Sequence, residues 1–207
     1  MLVKYPRTPH LSFSPGFTKD DVILSNHFFE NMRVIVTEKL DGECTSFYKN
    51  SCHARSTDSK PHPSRTWIKN LWATIRHDIP EGFRICGENL YAKHSIFYED
   101  LESFFYVFSI WNDSECLSWN DSKEFCQLLN LTHVPVLYEG LWDEELIRKL
   151  YKPVRENHFM EGFVVRNAEK FDYNDFGKNV AKFVRKGHVQ TDEHWMTQEV
   201  VPNKLRK

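Results

Sequence analysis

Nothing in this 207-residue chain is apolar for long enough to span a bilayer, which takes a run of about 18 residues or more. Residues 1–10 include Lys4, Pro6, Arg7 and Pro9 and lack the apolar core of a secretory signal. Both absences predict an intracellular, cytoplasmic protein that takes no membrane partner. Five cysteines, odd in number and without a Cys-x-x-Cys pair, exclude a disulfide framework and fit a reduced compartment. Neither they nor the ten histidines fall at zinc-binding spacing. The glycine patterns of P-loops and dinucleotide-binding turns are missing, and so are internal repeats, low-complexity tracts and any Gly/Ser linker. One domain over 1–207 is therefore expected, a size that a single core supports.

A dominant charge is missing too. Twenty-seven basic and 29 acidic side chains leave a formal net charge of −2, but the balance conceals an asymmetry. Residues 95–145 hold 11 acids and one base, whereas 1–94 and 178–207 are net basic by three and four charges. An acidic stretch of this kind ordinarily forms a solvated face. Basic ends that meet in space could instead make a phosphate-binding face on a neutral protein.

Apolar patterning sets the elements. Strands are expected over 33–38, 45–48, 83–92, 104–111, 133–138, 163–166 and 180–185. Asp41-Gly42 reads as the turn of a hairpin between the first two. Trp67, Ile68, Leu71, Trp72 and Ile75 recur at helical spacing behind Ser64, a candidate N-cap, as the buried face of a helix and not a base-stacking platform. A capping-box-like start at Asp121 opens a short helix ending near Asn130, and 143–151 carries acids first and bases last, as a helix dipole favours. Irregular interleaving of these elements predicts an α+β fold with largely antiparallel sheets.

Chemistry concentrates at Glu38-Lys39-Leu40-Asp41-Gly42-Glu43. A lysine in such a turn is by itself a weak signal, since exposed turn lysines are common. Four further segments follow in order. Phe83 to Tyr91 places Glu88 after Gly87 inside a strand, and Phe104 to Trp111 is an aromatic strand. Met160-Glu161-Gly162-Phe163-Val164-Val165-Arg166 repeats the Glu-Gly pair, and Val180-Ala181-Lys182-Phe183-Val184-Arg185-Lys186 ends in clustered cations. Together they resemble motifs I, III, IIIa, IV and V of the covalent nucleotidyltransferases: ATP-dependent DNA and RNA ligases and mRNA capping enzymes. The resemblance runs from Glu38 to Lys186. Within it, Glu38 ahead of the lysine, the stretch Gly87 to His94 and the stretch Glu161 to Arg166 look like the RNA ligase 2-like branch.

The resemblance implies the ligase adenylation-domain fold, two antiparallel sheets with flanking helices around a nucleotide cleft. It implies ATP as substrate, Mg²⁺ (replaceable by Mn²⁺) as cofactor, and joining of an RNA 5′-phosphate to a 3′-hydroxyl through a lysyl–AMP intermediate. Lys39 matches the nucleophile. A free lysine amine has a pKa of about 10.4 and must lose its proton to attack. Neighbouring cations or a bound metal ion would lower that pKa, and Lys182, Arg185 and Lys186 are candidates to do so while neutralising the triphosphate. Lys182 is thus a catalytic candidate as well as a nucleotide-binding one, and Arg185 a nucleotide-binding one. Glu38 matches the reader of the adenine edge, Arg55 a phosphate or ribose contact, and Glu88 the group that bonds ribose hydroxyls. Phe108 matches the aromatic that stacks on the purine. Glu161 matches the metal-binding acid, which suits Mg²⁺ because that ion takes one or two carboxylates beside substrate phosphates.

Three positions depart from the pattern. Ser109 stands where many relatives carry an acid, Cys44 where some carry an amide, and Val184 where motif V has its second lysine. Residues 1–32 are expected to form a lead-in with Lys4 and Arg7 near the substrate path, and 187–207 a short extension with no room for an OB-fold. A partner that delivers RNA fits so small an enzyme. The resemblance leaves open a DNA nick ligase, a GTP-dependent capping-type enzyme and a non-catalytic nucleic-acid-binding relative.

Overall fold

The two strongest β-forming runs, Val/Ile after Arg33 and aromatic after Phe104, become inner strands of two different sheets. The computed structural model describes residues 2–187 and 199–207; the remainder of the expected 187–207 extension lies outside the described residues. In chain order the strands begin with β1 (His10–Leu11), β2 (Ile23–Leu24), β3 (Arg33–Lys39), β4 (Glu43–Phe47) and β5 (Cys52–Ala54). Next come β6 (Phe83–Asn89), β7 (Phe105–Asn112), β8 (Glu115–Cys116), β9 (Thr132–His133) and β10 (Val136–Leu141). The last are β11 (Val154–Arg155), β12 (His158–Phe159), β13 (Gly162–Asn167), β14 (Phe171–Asp172) and β15 (Val180–Val184). Helices are α1 (Thr66–Ile75), α2 (Trp119–Leu128), α3 (Glu144–Arg148) and α4 (Phe176–Asn179).

One sheet has the order β10-β3-β13-β15-β1-β2 and the other β14-β8-β7-β6-β4-β5, with β9 beside β7; β11 and β12 form a separate hairpin. Between the strands of the described residues, pairing is parallel at β1 with β15, β1 with β2 and β7 with β9, and an isolated bridge between Leu101 and Leu205 is parallel too. The fold is thus α+β with largely antiparallel sheets.

The hairpin expected at Asp41-Gly42 does not form. β3 pairs with β13 and β4 with β6, so the turn carries the chain from one sheet to the other. Long-range partners hold it. Asp41 Oδ2 accepts from the amides of Ser95 and Ile96 at 2.7 and 2.9 Å, and the Asp41 amide donates to Tyr98 Oη at 2.9 Å. Gly42 passes so near Asn89 that a Cβ would lie 2.5 Å from its carbonyl oxygen.

Other boundaries move for equally local reasons. Ser64 lies in a 3₁₀ turn capped by His62, and α1 starts at Thr66. Ser118, not Asp121, caps α2: its Oγ accepts from the Asp121 amide at 3.2 Å, so Asp121 is the last residue of that box. The strand expected over 133–138 breaks at Pro135, which has no amide for a ladder, into β9 and β10 of different sheets.

Alternation buries both faces of β3. Val34 and Val36 pack with Phe29, Ile147, Phe163 and Val165, while Ile35 packs with Leu90, Tyr98, Tyr106 and Trp119. Under α1, Ile68 joins Phe47, Ile85 and Phe105, with Trp67 and Trp72 partly buried against them. The Phe105 ring is fully buried and stacks on Phe47 at 4.5 Å. Phe105→Ala is expected to cost about 3–5 kcal/mol, read as a lowered urea midpoint at unchanged slope.

Part of the basic 178–207 stretch is spent on the acidic middle. Lys204 pairs with Glu99 at 3.3 Å, and Arg206 with Asp100 and Glu102 at 3.2 and 3.3 Å. The expected meeting of the two basic ends therefore rests on Lys182 and not on these residues, because exposed acids from 99–102 lie closer to them.

Candidate active site

Strand alternation and register decide which side chains share the space between the sheets. Thr37 lies opposite Val164, Val164 opposite Lys182, and Lys39 opposite Gly162. Thr37, Lys39, Val164, Arg166, Val180 and Lys182 therefore stand on one face. The other sheet contributes Cys44 from β4, Glu88 from β6, and Phe108 and Ser109 from β7. Between them is a cleft of about 1110 Å³, lined by all of these residues.

On the cleft wall Lys39 Nζ lies 2.6 Å from Oε2 of Glu161, a residue that does not itself line the cleft; the two side chains are 28% and 7% exposed. Glu161 is placed by the next residue. A Cβ on Gly162 would lie 1.9 Å from the Phe183 carbonyl oxygen, so only glycine lets β13 and β15 approach this closely. Burial acts to depress the Lys39 amine, but Glu161, Glu88 and Asp41 together outweigh it and hold the pKa above the ordinary lysine value. The expectation that motif V cations lower it is corrected, because a carboxylate in contact dominates. The lowered amine is that of Lys182, through burial first and then the charge of Lys39. Burial pushes the Glu88 carboxyl up to about 8, with Glu161 and Asp41 adding to the effect. Lys39 and a 3.1 Å hydrogen bond from the Gly42 amide oppose it.

The remaining candidates are distributed unevenly. Arg55 is exposed at the cleft edge. Phe108 is half-buried and meets Tyr5 edge-to-face at 5.0 Å. Glu38 borders the cleft, but its carboxylate takes His158 Nε2 at 2.6 Å and Arg155 Nε at 3.5 Å. Those partners line a second cavity of about 310 Å³ and do not line the main cleft. Arg185 is not brought into the cleft: its amide donates to the Glu161 carbonyl at 3.0 Å, and its Nε is buried with no partner. Alternation explains this, since Lys182 and Val184 flank the face and Arg185 follows the end of β15.

Sequence reasoning missed several lining residues. Beside Lys4 and Arg7 the lead-in contributes Tyr5, Pro6 and Thr8, and Arg7 is tied to Asp21 at 2.8 Å. A hydrogen bond from the Thr18 amide, above all, holds the Asp21 carboxyl below the usual carboxylate range. Arg166, seen only as the end of a motif, is buried beside the cleft and donates to the Leu117 carbonyl at 2.8 Å. Ser109, in place of an acid, accepts from the Trp111 indole at 3.1 Å, a bond that suits a neutral side chain in a buried strand. No local pattern announces Tyr5; it enters the site because residues 3–5 fold back over the other sheet, where Val3 bonds Tyr48 and Arg84 and Tyr5 meets Phe108.

Among the described residues no three His, Cys, Asp or Glu side chains are grouped to hold a metal, and no helix is long and apolar enough to cross a membrane.

The two-sheet α+β architecture is that of ligase nucleotidyltransferase domains, and solved structures of ligases superpose on the chain. A Naegleria gruberi RNA ligase variant with ATP and Mn aligns with TM-score 0.57 at 16% identity, over 91% of this chain and 58% of its own. A second variant with ATP and Mn gives 0.54 at 17%, over 86% and 61%. An Aquifex aeolicus protein described as an ATP-dependent DNA ligase gives 0.59 at 19%, over 89% and 50%. The chain thus spans about half to three-fifths of the length of these proteins. The RNA ligase family model matches residues 32–184, and the chain belongs to that family. No curated protein matches it in sequence.

Proposed function

We propose that the protein is an ATP-dependent RNA ligase whose residues 1–207 act as a single adenylyltransferase domain. The observation that carries this reading is half-buried Lys39 in contact with buried Glu161, with Lys39, Glu88 and Lys182 lining one cleft. Once deprotonated, the Lys39 amine attacks the α-phosphorus of ATP. A P–N bond forms, the P–O bond to pyrophosphate breaks, and lysyl–AMP remains. A 5′-phosphate oxygen of RNA then takes the AMP from Lys39, and a 3′-hydroxyl displaces it to leave a phosphodiester. Lys182, the amine with the lowered pKa, faces the cleft without a carboxylate within ion-pair distance among the described residues, which suits a phosphate ligand. Glu88 is assigned to the ribose hydroxyls, and Phe108, with Val164 on the opposite wall, to the base. Arg55 at the edge is assigned to a phosphate. For Glu38 the adenine role requires its backbone or a change of carboxylate partner.

The donor set fits a divalent cation. Glu161 already holds a cation, the lysine ammonium, and Mg²⁺ or Mn²⁺ needs only one or two carboxylates beside phosphates and water. When bound, such an ion neutralises charge building on the phosphates. Glu161 would hold it, and in doing so would release Lys39. RNA would enter along the edge bearing Lys4, Arg7, Arg55 and His94, with a delivering partner supplying further grip.

ATP labelled at the α-phosphate, incubated with the protein and Mg²⁺, is expected to leave label that survives denaturing electrophoresis; GTP is not, and neither is Lys39→Ala. Equal labelling of Lys39→Ala and wild type would overturn the reading. Labelling by GTP in place of ATP would mark a capping-type enzyme, and sealing of DNA but not RNA ends a DNA ligase.

A further inference from the structure

Residues 90–104, between β6 and β7, hold neither a helix nor an extended strand. Their buried backbone groups therefore need partners from elsewhere. Segment 199–207 supplies them. The Lys93 amide donates to the Val201 carbonyl at 2.8 Å, the Lys204 amide to the Tyr98 carbonyl at 2.9 Å, and the Arg206 amide to the Leu101 carbonyl at 2.7 Å. Bridges Ala92–Pro202 and Leu101–Leu205 complete the seam.

Asn203 is the centre of this contact and is 3% exposed. Its Oδ1 accepts from the Tyr98 amide at 2.9 Å, its Nδ2 donates to the Leu90 carbonyl at 2.8 Å, and its own amide donates to the Tyr91 carbonyl at 2.9 Å. All three partners are backbone groups of the 90–104 segment. That segment in turn holds the Lys39 turn: Tyr98 Oη takes the Asp41 amide, and the amides of Ser95 and Ile96 take the Asp41 carboxylate. Two residues beyond Lys39, then, the turn is fastened to a segment that has no regular structure of its own. It also brings His94 to the cleft.

We propose that segment 199–207 is a clasp for the turn that carries Lys39, with Asn203 as its positioning residue. The clasp acts through Tyr98 and Asp41 and touches no reacting atom. A misplacement of about 1 Å in a reacting group can cost on the order of 100-fold in rate, so loosening this contact should lower turnover without removing nucleotide binding. The kinetic part rests on the proposed adenylation by Lys39; the structural part does not.

Two readouts separate them. Hydrogen exchange of peptides covering 38–44 and 93–97 is followed in wild type, Asn203→Ala and Tyr98→Phe, together with the rate of Lys39 labelling over a range of ATP concentrations. Asn203→Ala is expected to lose exchange protection in both peptides. Its labelling rate at saturating ATP should fall about 10- to 100-fold while half-saturation moves less than about threefold. Tyr98→Phe keeps the ring and the tail contacts and removes only the acceptor of the Asp41 amide. It should lose protection at 38–44 and slow labelling in the same direction, and it carries the test if Asn203→Ala fails to fold. Unchanged exchange at 38–44 in either folded variant overturns the clasp, as does a labelling rate unchanged when protection is lost. Absence of labelling in wild type overturns the ligase reading instead, and exchange alone then decides the clasp.

Discussion

Glu161→Gln is expected to slow labelling of Lys39 by about 100-fold or more at saturating ATP and Mg²⁺. Two effects of this substitution oppose each other. Removing the carboxylate 2.6 Å from Nζ takes away the strongest charge that keeps Lys39 protonated, which by itself frees the amine and speeds attack. It also removes the buried acid that fits a divalent cation, which slows attack on a polyanionic triphosphate. If the proposed metal role is right, the second effect wins and the Mg²⁺ concentration for half-maximal labelling rises. Labelling at wild-type rate or faster would show that Glu161 serves only as the counter-ion of Lys39. Glutamine keeps the shape and one acceptor, so a general loss of folding is not expected to obscure the comparison.

Glu88→Gln is expected to make the fold more stable at pH 8 while labelling falls. The Glu88 carboxyl is raised from an ordinary value near 4.5 to about 8. A group raised in the folded state contributes stability that is fully present below its unfolded pKa and is lost as pH rises through the folded one. Wild type should therefore lose stability between about pH 4.5 and 8, as an acid that prefers to be neutral is forced to ionise. Glutamine cannot ionise. The stability of Glu88→Gln relative to wild type should grow across that window, reaching on the order of 2 kcal/mol at pH 8 after allowance for partial solvent contact. Urea unfolding at pH 5 and pH 8 measures it, and a difference between the two proteins that does not change with pH rules the account out. A gain in stability with a loss of labelling is what a group held in an unfavourable place for chemistry predicts.

The motif residues at and beside the cleft were legible in the chain because they sit in or next to strands. Lys39, Glu88, Phe108, Glu161 and Lys182 each lie within or beside a short apolar run, and the order of those runs carried the resemblance that placed them together. The errors share one cause. Asp41-Gly42 has the composition of a hairpin turn, yet its partners are Ser95, Ile96, Tyr98 and Asn89, all about 50 residues further on and invisible to a local pattern. The lowered pKa was expected at Lys39 and fell on Lys182, because Glu161 contacts Lys39 across 122 positions of sequence. Arg185 looked equivalent to Lys182 as a cation of motif V, but it follows the last residue of β15 and leaves the face that lines the cleft.

The chain by itself determined the α+β class, the strand periods, the reagents present and their order, since these follow from side-chain chemistry and from apolar repeats over a few residues. Tertiary structure alone decided which carboxylate holds Lys39, that Glu38 turns to His158 and Arg155, that Tyr5 enters the site, and that Asn203 bonds the backbone of Leu90, Tyr91 and Tyr98. Each of these is a contact between distant segments. Its geometry comes from sheet register and from backbone groups seeking partners, and neither is encoded in any one stretch of sequence.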